Sequence, residues 1–592
     1  MGCQGVANGC AHLPSRRSDW VANRAFPGDQ TMNVKPPDAS AWCTWLEQHG
    51  LSIAPKDLET ALAYDLARGE LESAWASLQE GSVARAARVA RVSLAWDAAL
   101  GHAENHDQGP DWVLRMPEFD GEVVTGGERL EMAAWDFGKV RRRRPAAVLR
   151  PAGTRDVVRA IQFCREENIG LSPRGFAHSA GAQMQVRGGL VLDMKSMNRV
   201  LAVTDDHIEV EAGAGWDVVL MAATERGRTP PIVTDWLKVS VGGTLSMGGF
   251  GFMSFWRGTQ MDHVLELEVV TGTGEVIRCS PHHHQDLFDA VRGTHGTFGI
   301  ITRAWIPLEA APKKVRLVQA SYGSIRAMMS DIENHTRARS ADLIHAFAAR
   351  KTRQTIVTKM NSTETMPLDE EKVDKALLEV PGQWVYNLEL VDFIGGPHGD
   401  IHEQVDPAKL NCEEGLVHAW EMDWTSFCFR VPPLVLEEQF RGAAPHPELC
   451  AWVPMDAEGL SLLEAEFERL QPVEDIGDGP VLFFPLKTDV VSAPWFRLPR
   501  TECCFFWGLL RRADPATPER ISELMADNEA VFERVLRAGG ERYLPDTPPE
   551  DLAFWKRHFG PIWPQLVQAR NRWDPDGLFQ SSFGVFLHSD ST

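Results

Sequence analysis

One histidine, His178, stands in the run Pro173-Arg174-Gly175-Phe176-Ala177-His178-Ser179-Ala180-Gly181-Ala182-Gln183. Its neighbours are so small that the backbone can lie flat against a large ligand. Glycine there admits positive φ and removes the Cβ that blocks close approach. The same texture returns at Val241-Gly242-Gly243-Thr244-Leu245-Ser246-Met247-Gly248-Gly249-Phe250-Gly251. Each stretch follows a short apolar or mixed segment, so both read as strand-to-loop crossings. Two such loops, one carrying an imidazole, suggest a bulky planar cofactor gripped by backbone. Glycine loops alone read better as ordinary turns.

Other nucleotide and nucleophile signatures fail. Gly213-Ala214-Gly215-Trp216-Asp217-Val218 lacks the third glycine of a dinucleotide fingerprint, and no Walker-type loop occurs. Around Ser179 the nucleophile-elbow pattern has Ala177 where its first glycine is needed, which argues against a serine hydrolase. A nucleotide cofactor would therefore be held by a different architecture. The triplet His282-His283-His284 reads as a polar turn rather than a metal site. Ten cysteines are scattered without metal spacing, Cys503 and Cys504 being adjacent, so reduced core thiols and no metal are expected.

The elements that must position these loops begin after an N-terminal part of different texture. Residues 1–115 read as a mobile tail and a helical extension, with apolar residues at three- and four-residue spacing such as Leu58, Ala61, Leu62 and Leu66. From Met116 short β-branched runs (146–149, 189–193, 208–211, 265–271) alternate with helical segments (154–168, 216–226). Beyond Pro312 strand-like runs appear at 315–320 and 481–486, then helices at 517–538 and 551–572. This is an α+β pattern. Arg141 to Arg144 precede an apolar strand and read as a solvated strand entry.

The totals exclude several partners. A formal charge of −22 argues against nucleic acid, whose phosphates demand a basic footprint. No segment reaches the ~18 apolar residues of a membrane helix, and residues 1–20 hold no run of signal-peptide length. A cytoplasmic location without a membrane partner is the expectation.

An ordered series of motifs carries a resemblance. It runs through Asp136-Phe137-Gly138, Ala147-Val148-Leu149-Arg150-Pro151, the His178 loop, Thr234-Asp235-Trp236-Leu237 and Val241-Gly242-Gly243-Thr244-Leu245-Ser246. It continues through Asp262-His263-Val264-Leu265-Glu266-Leu267, Asp286 to Val291, Phe298-Gly299-Ile300-Ile301-Thr302-Arg303, Pro445-His446-Pro447, Phe484-Pro485-Leu486, Arg557-His558-Phe559-Gly560 and Trp573-Asp574-Pro575. From Phe119 onward the chain resembles the vanillyl-alcohol oxidase and p-cresol methylhydroxylase (PCMH) flavoproteins, and within them is most similar to the cytokinin dehydrogenases. The resemblance implies a PCMH-type FAD-binding domain of two subdomains over 116–312. A substrate (cap) domain, an antiparallel sheet flanked by helices, would cover 313–540, with a return to the FAD domain over 541–592. It implies FAD attached covalently through His178. Relatives with a second, cysteinyl link carry a Cys where Trp236 stands, so a single link is implied. Arg174, Gly175, Ser179, Gln183, Gly242, Gly243, Thr244 and Ser246 would contact the flavin and its pyrophosphate, with Ile300 and Ile301 flanking the nucleotide. Asp235 would take the substrate proton while hydride passes to the flavin.

Departures bear on the substrate. Thr297 stands where the family often has Gln, and Gln580-Ser581-Ser582-Phe583 replaces its C-terminal Ser-Pro-Gly-Gln, losing a flavin-edge hydrogen bonder. The stretch 420–433 aligns poorly. The expectation is an FAD-linked oxidase or dehydrogenase acting on a small molecule, with oxygen or another acceptor. A tailoring enzyme of specialised metabolism, desaturating or oxidatively decarboxylating its substrate, leads. A cytokinin dehydrogenase oxidising a secondary amine to an imine comes second, and an inactive flavin-binding scaffold third.

Overall fold

The computed structural model describes residues 110–592, except 357–362, 380–381, 396–402, 413–415, 432–443, 585 and 587–592. The expected tail and helical extension thus lie, but for their last six residues, outside the described residues. What is described is a mixture of helix and sheet, as the α+β pattern predicts, and antiparallel sheets dominate it.

A four-stranded sheet runs in the order Glu122–Val124, Ala147–Arg150, Leu190–Asp193, Leu171–Arg174, its last three strands parallel. The helix Thr154–Glu167 packs its buried face (Val157, Ala160, Ile161, Cys164) against it and stops at Asn168 in the left-handed region, φ 53°. The chain returns to this sheet much later. Leu171 N–H donates to Leu578 O at 2.8 Å, and Gln580 N–H to Leu171 O at 2.9 Å.

A second sheet of five antiparallel strands places Ile300–Pro307 at its centre, between His207–Glu211 and Glu266–Val270. The third sheet has nine antiparallel strands. Its middle is formed by Trp384–Ile394, Leu343–Arg350, Val481–Lys487 and Cys503–Leu509, with the helices Ile325–Ala338, Ala457–Arg469 and Pro518–Arg537 packed on it. Trp384–Ile394 is buried along ten of its eleven residues, because both faces of the sheet are covered.

Three expectations need correction. Val241–Met247 is a helix, not a strand-to-loop crossing: Ser240 caps it by accepting from Gly243 N–H at 3.3 Å. The single helix expected at 551–572 is two, Leu552–Phe559 and Trp563–Trp573. Gly560 (φ +50°) and Pro561 interrupt the ladder between them. Arg141 to Arg144 are not a solvated strand entry but an ion-paired clasp. Arg142 and Arg144 both reach Glu131, Arg143 pairs with Glu550, and Arg141 donates to Pro548 O at 2.8 Å. Seven cysteines are free among the described residues, all but Cys412 buried. No helix among them is long and apolar enough to cross a membrane.

Candidate active site

The His178 loop is strapped down from both sides. Phe137 N–H donates to Ala177 O (2.8 Å) and Gly138 N–H to Ser179 O (3.1 Å). The carboxylate of Asp136 accepts from Ala182 N–H at 2.6 Å and from the Ser179 hydroxyl at 3.1 Å. On the other side Gln183 donates to the carbonyls of Leu544 and Asp546, at 2.8 and 2.7 Å. Ala177 and Ala182 are held in the left-handed region, φ 58° and 64°, a conformation a non-glycine residue keeps only when its surroundings over-determine it. Burial pushes Asp136 up to about 6, against the bonds from Ala182 and Ser179 that favour its anion.

Between this loop and the capped helix lies a cleft. Of the residues expected at a cofactor, Arg174, Gly175, Gln183, Gly242, Gly243, Ser246, Ile300 and Ile301 line it. Ser179 and Thr244 do not. The Ser179 hydroxyl is spent on Asp136, and the Thr244 hydroxyl accepts from the Trp216 indole at 2.8 Å, so both brace the walls from behind. Gly175 is the tight point, since a Cβ there would meet Ser240 Oγ at 2.1 Å. Gly175→Ala should therefore push the two walls apart, costing about 1–3 kcal/mol; a lower melting temperature and weaker cofactor retention on gel filtration are the readouts.

His178 and Asp235 are not among the residues that line the cleft. His178 belongs to a column of rings: it lies 5.2 Å from Phe137, which stacks on His446 at 4.6 Å, and 6.4 Å from Trp236 on its other side. Desolvation lowers its pKa to about 4, so the imidazole is neutral at pH 7. Trp236 is the chain neighbour of Asp235, so the backbone that carries Asp235 passes close to the His178 loop.

Asp235 does not stand alone. Its Oδ1 is 3.7 Å from Arg430 Nη1, and Arg430 Nη2 donates to Glu389 Oε2 at 2.9 Å. Glu389 in turn shares a 3.2 Å hydrogen bond with His345 Nδ1, its register partner on the neighbouring strand. Side-chain exposure falls from 26% at Asp235 to 9%, 8% and 7% at Arg430, Glu389 and His345, so these charges interact with little water between them. Burial raises Asp235 above the ordinary carboxylate range, opposed by the charges of Arg430 and His345. Burial would raise Glu389 too, but the Arg430 charge and the His345 bond outweigh it and hold that acid at about 2. The Arg430 guanidinium lies over Phe427 (4.1 Å) and Phe252 (4.4 Å), and Phe484 packs beside Phe252 and His345.

Comparison with known proteins fits this geometry. Residues 145–280 match the model of an FAD binding domain. Residues 312–586 match that described as cytokinin dehydrogenase 1, FAD and cytokinin binding. An uncharacterized oxidoreductase of the fasciation locus of Rhodococcoides fascians is 30% identical over 454 residues, 76% of this chain and 96% of that protein. Cytokinin dehydrogenase 8 of Oryza sativa subsp. japonica is 31% identical over 519 residues (78% and 91%). Cytokinin dehydrogenase 3 of Arabidopsis thaliana is 29% identical over 504 residues (81% and 93%). The chain belongs to the cytokinin dehydrogenase-like family of FAD-dependent oxidoreductases. Like that family, it is an FAD-linked oxidase or dehydrogenase.

The cleft suits FAD on its own terms. Arg174 Nη1 is a buried donor without a hydrogen-bond partner among the described residues, and glycines at 175, 242, 243, 296 and 299 leave the backbone bare along the wall. Met184, Met194, Met247, Ile300 and Ile301 supply apolar surface for a flat ring system. The two departures from the family pattern meet here. His295, two residues before Thr297, lines the cleft and shares a 2.8 Å hydrogen bond through Nδ1 with the hydroxyl of Ser582, which belongs to the second departure. Phe583 is packed among Phe298, Trp555 and Phe559, which accounts for the lost hydrogen bonder.

Sequence reasoning missed Arg430, Glu389 and His345. Each is an unremarkable polar residue in its own segment, and only cross-strand register and a loop bring them together. His446 had a signal, the Pro-His-Pro motif, but no role. Two residues on, Glu448, half-buried and facing the charges of Asp546 and Asp136, is pushed up to about 8 by desolvation first and those charges second. A folded-state value above the unfolded one means its contribution is full below the unfolded pKa and is lost as pH rises toward 8. Stability should therefore decline through neutral pH by at most about 1.4 kcal/mol per unit, and Glu448→Gln should flatten that slope in denaturant titrations at several pH values.

Proposed function

We propose that this FAD-dependent oxidoreductase oxidises a small metabolite carrying an N–H or O–H donor, aromatic or amide-bearing, with Asp235 receiving the proton. One observation supports the reading above others: Asp235 Oδ1 is a buried acceptor with no hydrogen-bond partner among the described residues, beside the His178 column. An unpaired buried acceptor is costly unless a ligand supplies the donor. Phe252, Phe427 and Phe484 form an apolar wall that excludes water from a flat substrate. FAD, when bound, supplies a two-electron acceptor for hydride. His178 would hold that group covalently and alone. Its neutral imidazole retains the lone pair such a bond requires, and Trp236 occupies the place of a second, cysteinyl link.

In this reading residues 116–312 with 541–592 form a PCMH-type FAD-binding domain of two subdomains, and 313–540 the substrate domain. Hydride loss from carbon with the N–H or O–H proton passing to Asp235 leaves an imine or a carbonyl; loss of a carbon-bound proton, or of carbon dioxide in its place, would give the alkene or decarboxylated product of a tailoring enzyme of specialised metabolism. A second reading, cytokinin dehydrogenase, is favoured by the match of residues 312–586 to a cytokinin-binding model. Incubation with isopentenyl adenine and a dye acceptor separates the two. Bleaching of the flavin and release of the side-chain aldehyde support the cytokinin reading. An unbleached flavin with that substrate, but a bleached one with an aromatic amide panel, supports the first.

A further inference from the structure

Arg430 reaches Asp235 from the segment that follows the strand Val417–Asp423 and the short helix Trp424–Cys428. It cannot swing away. One guanidinium nitrogen is bonded to Glu389, another to the Phe427 carbonyl at 3.3 Å, and two phenyl faces flank the plane. Glu389 is itself fixed by His345 across the sheet. The remaining N–H capacity of the fork points toward Asp235 Oδ1 at a separation too long for a direct hydrogen bond. This spacing leaves the oxygen unpaired for a ligand while keeping a fixed positive charge beside it.

We infer that Arg430 is a positioning residue for Asp235, held by the Phe427 carbonyl and two phenyl rings so that its charge keeps the carboxylate ionised without occupying the oxygen that takes the proton. The inference rests on the reading of Asp235 as proton acceptor. The proton passes from the substrate donor to Oδ1, and Arg430 gives up none of its own. The groups facing Asp235 are Arg430 and Cys428 from one segment, and His345 and Glu389 from the central strands, with His418 behind Glu389. Burial acts on Asp235 against this arrangement, so the balance is set by how firmly the cation is held.

The two neighbours act with opposite sign, which gives a test that mere structural damage does not mimic. Removing the cation should raise the Asp235 midpoint; removing the second acid should lower it. In FAD-loaded protein, pH-dependent infrared difference spectra, assigned by subtraction of an Asp235→Asn variant, report the carboxylate directly and need no substrate. Arg430→Met should move the midpoint up by about one pH unit or more, Glu389→Gln should move it down, and Arg430→Lys should stay closest to the unmodified protein. Should Arg430→Met not fold, the opposed shifts of Glu389→Gln and Arg430→Gln/Glu389→Gln decide. Midpoints that stay put, or that move in one direction for both kinds of variant, overturn the inference. The functional reading fails separately: an Asp235→Asn variant that turns over at the unmodified rate sinks it, whereas a collapsed rate with unmoved midpoints sinks only the role of Arg430.

Discussion

Acid-precipitated protein should keep its yellow colour in the pellet, and His178→Ala should release that colour entirely to the supernatant. The geometry behind this expectation is the column in which His178 sits. Its ring is held by Phe137 and Trp236, its loop by Asp136 and Gln183, and desolvation keeps the nitrogen unprotonated. A ring so fixed is pre-organised for a single attachment geometry. Loss of the tether should also lower turnover on the order of tenfold, equivalent to ~1.4 kcal/mol of barrier, because the cofactor would then be held by the cleft alone. Flavin-bearing peptides should contain residue 178 and no cysteine. A pellet that is colourless before mutation, or a cysteinyl flavin in any peptide, contradicts the assignment.

Asp235→Asn should retain bound flavin and lose about 10²- to 10⁴-fold in kcat, the range in which positioned acid–base groups act. Asparagine is close in shape and keeps the cleft intact, so flavin content and absorbance report folding independently of rate. The pH dependence follows from the direction of the shift. Burial raises Asp235 above the ordinary carboxylate range, and the ionised form is the one that accepts a proton. Activity should therefore be lost as pH falls through that raised value, at a higher pH than an exposed aspartate would give. Measuring kcat/KM from acid to neutral pH locates that limb, and a profile flat down to the range of a free aspartate removes Asp235 from the chemistry.

The cleft was legible because its signals are local. Glycine-rich runs and one histidine mark where backbone must approach a ligand, and eight of the expected contacts line the cleft. The helix at Val241–Met247 was misread because glycine at two of its first three positions imitates a loop, while the deciding signal was the capping Ser240. Ser179 and Thr244 were placed on the right loops but a layer too far forward; side-chain direction does not follow from composition. The cluster opposite Asp235 was invisible for a different reason. His345 and Glu389 lie 44 positions apart and meet through strand register, and Arg430 joins them from a third segment. Nothing within any one of those windows departs from an ordinary strand or turn.

The bond pair joining Leu171 to residues 578 and 580 has a bearing on biogenesis. The strand that leads into Arg174 and Gly175 completes its pairing with residues translated some four hundred positions later. A nascent polypeptide whose residues 578 and 580 have not yet emerged cannot finish that wall, so full assembly of the cleft waits on that late segment. Products truncated before residue 578 should accordingly carry no pigment, however well their earlier segments have folded.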